Sequence, residues 1–118
     1  MKELGDIIKR ALTGIVDVYP QIADFEEEEN LPYPFAVYRI DEMAATTKEG
    51  ERSGQYTVNV VVVSDNYDNH IALTDRVKEA VLMTRTREMS VRYGGTTTDY
   101  DEDDRAYLSD ITFFVKKY

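Results

Sequence analysis

The sequence contains no cysteine, no tryptophan, one histidine and three prolines in 118 residues. Without cysteine there is no disulfide, no thiolate metal site and no thiol nucleophile. The lone histidine, His70, excludes an HExxH motif and any histidine cluster, and no GxSxG frames a serine nucleophile. No apolar run of about 20 residues occurs, and no basic stretch followed by an apolar one lies near Met1. These absences set the expectation of a soluble, cytoplasmic, unprocessed protein that makes no use of a membrane. The length fits one domain over residues 1–118, and an apolar fraction of 42% suffices for one small core.

What is abundant is negative charge, and it is concentrated. Of 23 acidic residues, ten lie in two short tracts: Asp24, Glu26, Glu27, Glu28 and Glu29, then Asp99, Asp101, Glu102, Asp103 and Asp104. Outside them 14 bases face 13 acids, so the body is close to neutral although the chain carries −9. No basic helix or stripe stands out, which argues against tight binding to the outside of a nucleic acid.

Leu4, Ile7, Ile8, Ala11, Leu12, Ile15 and Val16 recur at helical spacing, so a first helix is expected up to the Tyr19-Pro20 stop. The loop from there to Pro34 is long for a compact domain, which hints at use. A strand is expected from Phe35, with Ala36, Tyr38 and Ile40 on one face. The next is "QYTVNVVVVS", with Tyr56, Val58, Val60 and Val62 on one face and Val61 and Val63 making its far end apolar on both. A second helix follows "SDNYDN", with Ile71, Thr74, Val77, Ala80 and Val81 inward. "EMSVRY" alternates with Met89, Val91 and Tyr93 on one side, and a last strand carries Tyr107, Ile111, Phe113 and Val115. The expected fold is α+β, two-layer, in the order α-β-β-α-β-β: a mostly antiparallel four-stranded sheet with two helices packed on one face.

The stretch "DYDEDD" invites a calcium-loop reading, with Asp99, Asp101 and Asp103 at loop positions 1, 3 and 5 and Asp110 at 12. Position 6 is Asp104 where the turn needs glycine, position 12 lacks the bidentate glutamate, and the flanks are strands. A solvated hairpin tip with loose cation binding fits better, and no dedicated metal site or cofactor is expected. Acid–base catalysis needs a carboxyl with a shifted pKa, which solvated runs do not supply. His70, near a helix start, is expected to be a surface or capping residue, so that His70→Gln should leave structure and assembly nearly intact. Tyr38, Tyr56, Tyr93 and Tyr107 are expected in the core. Tyr33, Tyr67, Tyr100 and Tyr118 are expected at the surface, either as interface anchors or simply scattered.

The helix ending in "VYP", the loop closing with "LPYPFAVY" and the valine-rich strand running into a helix together carry a resemblance. The chain resembles the tail-terminator and tail-completion proteins of long-tailed phages and prophages, specifically around Val18, Tyr19, Pro20, Leu31, Pro32, Tyr33, Val37 and Tyr38. The resemblance implies a structural virion protein and no enzyme: a homo-oligomeric ring, typically hexameric, that caps the tail tube and faces the head–tail connector. It implies tail tube protein and connector protein as partners, and residence in the host cytoplasm during assembly and in the virion tail afterwards. The acidic first loop departs from the family's small, glycine-containing one. DNA would pass through such a ring without specific binding, and acidic surfaces repel phosphates over about 8 Å at physiological salt. The ten tract residues are therefore candidates for lumen-facing or subunit-facing positions. A small-molecule-binding or regulatory module is the alternative, and a small hydrolase, lacking a nucleophile–base pair, comes third.

Overall fold

The first helix stops earlier than its apolar spacing suggests. A computed structural model describes residues 2–20, 33–43, 54–103 and 105–117. In it α1 spans Lys2–Leu12 and buries Leu4, Ile8 and Leu12. Gly14 then takes φ 86°, a left-handed conformation open to glycine, and the N–H groups of Ile15 and Val16 both donate to the Leu12 carbonyl. Ile15 and Val16 continue the helical spacing by coincidence: they are apolar because the chain turns back over the core, where both pack.

That early stop releases a fifth strand. β1 (Asp17–Pro20) pairs parallel with β2 (Phe35–Met43), and β3 (Gly54–Ser64), β5 (Ala106–Lys117) and β4 (Met89–Asp101) complete the sheet in the order β1-β2-β3-β5-β4. The expected four-stranded sheet is thus corrected to a five-stranded mixed one, and the order becomes α-β-β-β-α-β-β. Parallel pairing needs a return of a dozen or more residues. The long connection between Pro20 and Phe35 therefore has a structural reason independent of any use.

The other strands follow their alternation. Val58, Val60 and Val62 of β3 and Ile111, Phe113 and Val115 of β5 are almost fully buried on the face covered by both helices. Each such valine contributes roughly 1.5 kcal/mol of burial. β4 continues through Gly94-Gly95, where the expected strand ended, because a bulge between Tyr93 and Gly95, with Gly95 at φ 134°, absorbs the glycines without ending the pairing. Tyr93, expected in the core, lies at this irregularity and is exposed, with the Lys78 ammonium over its ring.

α2 (Tyr67–Leu82) starts at Asn66, whose side chain accepts from the Asn69 N–H. Its inward stripe is His70, Leu73, Thr74, Val77 and Val81, so Ile71 points outward instead of inward. Thr74, Val77 and Val81 are inward as expected, and the stripe differs only at its start, where the first inward residue is polar. The opposite face of the sheet is not covered by either helix. It carries Val37 and Val63 near the β2 start, and Asn59 bonded to Asp110 and Thr112 further along.

Candidate functional site

The β4–β5 hairpin organises what could serve function. Its pairing runs without a break in direction from Met89 opposite Lys117 to Asp101 opposite Ala106. The second acidic tract is therefore partly strand: Asp99 and Asp101 belong to β4, and Glu102, Asp103 and Arg105 lie at the turn. Asp101 accepts from the Asp103 N–H, and Arg105 closes the turn at φ 52°. Asp99, Glu102 and Asp103 are exposed. Asp110, the twelfth position of the calcium-loop reading, sits opposite Thr97 on β5 and accepts from Asn59 Nδ2 at 2.9 Å. Among the described residues, no group of three His, Asp or Glu is placed to hold a metal ion. Asp24, Glu26, Glu27, Glu28, Glu29 and Asp104 lie outside the described residues, as does Tyr118.

Behind the tip lies a polar network that corrects the expectation for His70. His70 is fully buried, neither surface nor cap. Its Nδ1 is 2.6 Å from Ser64 Oγ and its Nε2 is 2.7 Å from Ser109 Oγ, which in turn meets Thr98 Oγ1 at 2.9 Å. A neutral imidazole has one N–H and one lone pair, so one serine accepts and the other donates. Among the described residues the ring's contacts are hydroxyls and the Tyr107 ring, with no carboxylate to support a charge, and burial holds the His70 pKa below its ordinary value. Serine and imidazole at this distance are the elements of nucleophilic catalysis. Here Ser64 and Ser109 are themselves buried, which gives a reactant no access to either oxygen. The network ties the end of β3, the start of α2 and both strands of the hairpin together.

Outside it, Tyr107 gathers aromatic neighbours: Tyr100 at 4.8 Å and Tyr67 at 5.3 Å between ring centroids. Tyr67 and Tyr100 are about half exposed, as expected for them, while Tyr107 is half-buried. This cluster was hidden in the sequence, although Tyr100 and Tyr107 stand equally far from the turn and so face each other across it.

At the other end of the hairpin a cleft of about 430 Å³ lies between α1 and the α2–β4 turn. Ile7, Ala11 and Met89 form its apolar lining, and Glu3, Arg10, Glu88 and Lys117 its charged one. Lys117 Nζ and Glu3 Oε2 are 3.2 Å apart at this site.

The sequence matches no protein-family model and no curated protein sequence. In structure it is similar to a chain of the virion of native gene transfer agent (GTA) particle, with TM-score 0.56 and 13% identity. The match covers 93% of this chain and 83% of that one, so the likeness is one of the whole fold. No helix among the described residues is long and apolar enough to cross a membrane.

Proposed function

We propose that this protein is a structural component of a phage-derived virion, and specifically a ring-forming subunit that caps the tail tube and helps join tail to head. The observation that carries the reading is the fold shared along 93% of the chain with a component of a gene transfer agent virion. The layout "VYP … LPYPFAVY" favours the tail-terminator position within such a particle. On this reading the chain catalyses no reaction and takes no cofactor. Its partners are its own copies, the tail tube protein and the head–tail connector protein. It works in the host cytoplasm during assembly and in the virion tail thereafter, with DNA passing its ring unbound.

Light scattering over a wide concentration range, with and without tail tubes, tests this. The expected result is a discrete oligomer, formed by the protein alone or templated by tube ends. A protein that stays monomeric and ignores tube ends contradicts the reading. The cleft is within the size range of small-ligand sites, so a small-molecule-binding module is the second reading. A small ligand that raises the melting temperature, with no effect of tubes, would favour it.

A further inference from the structure

We infer that the cleft at the base of the β4–β5 hairpin receives the hairpin tip of a second copy of this chain, in a head-to-tail contact. The inference rests on the ring reading and names the surfaces that would build the ring.

Three observations converge. The hairpin links the two ends of the molecule: the 13 residues of β4, at about 3.3 Å each, run for most of the 48 Å longest extent. The two ends differ in charge. Around the tip stand Asp65, Asp68, Asp99, Glu102 and Asp103, all exposed, with Arg105 among them. At the base, Arg10 and Lys117 line the cleft, and Arg85 and Arg87 are exposed on the α2–β4 turn beside it, against Glu3 and Glu88. Among the described residues, neither the carboxylates of Asp99, Glu102 and Asp103 nor the guanidinium groups of Arg10, Arg85 and Arg87 have an ion-pair partner within the chain. The surfaces also match in apolar character. The tip end exposes Tyr67 and Tyr100, and the cleft offers Ile7, Ala11 and Met89.

One tip entering one base leaves a free tip and a free base on the pair. The same contact then repeats by a single operation and closes into a ring if its rotation allows. Opposite charges on the two surfaces steer the encounter, and because they lie at the surface, salt weakens it. A two-fold pair that seats each tip in the other copy's base would stop at a dimer, so wild-type assembly beyond a dimer marks the repeating contact.

Sedimentation velocity at a series of salt concentrations tests the contact with two variants. One carries Asp99→Asn, Glu102→Gln and Asp103→Asn; the other carries Arg10→Gln, Arg85→Gln and Arg87→Gln. Wild-type assembly should weaken at least tenfold on raising the salt from 50 to 500 mM. Each variant alone should lose assembly by tenfold or more, and a mixture of the two should form dimers only, since one intact tip and one intact base remain. The tip variant should melt level with the wild type or slightly higher, because mutual repulsion is removed from an exposed turn. If either variant assembles at wild-type strength, or the mixture yields no dimer, this contact is wrong while the ring reading stands. If the wild type never associates, even on tube ends, the ring reading fails and the contact with it.

Discussion

His70→Ala is expected to lower the unfolding free energy at pH 7.5 by about 3 kcal/mol. The replacement removes two hydrogen bonds in a place that water does not reach, and Ser64 Oγ loses its partner in the network whereas Ser109 keeps Thr98. A buried group left unpaired costs about 1–3 kcal/mol, and the vacated imidazole volume adds to it. His70→Gln, whose amide can both donate and accept, should lose about half as much. The near-neutral outcome expected for an exposed histidine does not apply to a fully buried one. The same site predicts a pH signature. The unfolded chain takes up a proton near pH 6.5, whereas the folded chain resists it because the ring is buried, with no anionic partner among the described residues. In that window the unfolded state binds more protons, so wild-type stability should fall as pH drops through 6.5 toward the lowered folded value. Urea titrations at stepped pH check this: the His70→Ala curve should lack that component. Equal pH slopes for the two proteins would contradict the buried, neutral ring.

Phe113→Ala is the second large effect, expected at about 4 kcal/mol and a fall in Tm of roughly 12 to 20 °C. Phe113 is fully buried, lies opposite Val58 on β3 and Tyr93 on β4, and packs against the Tyr93 ring at 6.3 Å between centroids. Its removal leaves a void beneath both helices that neighbours fixed in three paired strands cannot easily close. Thermal unfolding followed by circular dichroism reads the loss. A cost below 1 kcal/mol would mean that the β3–β5–β4 layer is not the centre of the core. With total stabilities of about 5–15 kcal/mol for such domains, the variant should still fold in the cold.

The strands were legible wherever a single face is buried, because alternation then records the sheet directly, as it does in Val58, Val60 and Val62. β1 was not legible. It has four residues, ends in proline, and follows Ile15 and Val16, which prolong the helical spacing after Gly14 has already turned the chain. On α2, Thr74, Val77 and Val81 face inward as expected, and only the start of the stripe differs: His70 takes the first inward position in place of Ile71, and a polar residue there is invisible to an apolar count. The polar network could not be read at all. Ser64, His70, Ser109 and Thr98 are separated by 6, 39 and 11 positions, and only the strand register and the helix start bring them together. The acidic hairpin tip was visible as composition, since five carboxylates in six positions repel one another and need solvent. What such a tip faces depends on a second molecule, and one chain's periodicity does not encode that.

We propose that the protein builds the end of a phage-type tail. Electron microscopy of phage-type tail tubes incubated with gold-labelled protein tests this most directly. Label is expected at one end of each tube only, in a ring-shaped density built from several copies. Bare tube ends, or label scattered evenly along the tube wall, would contradict it.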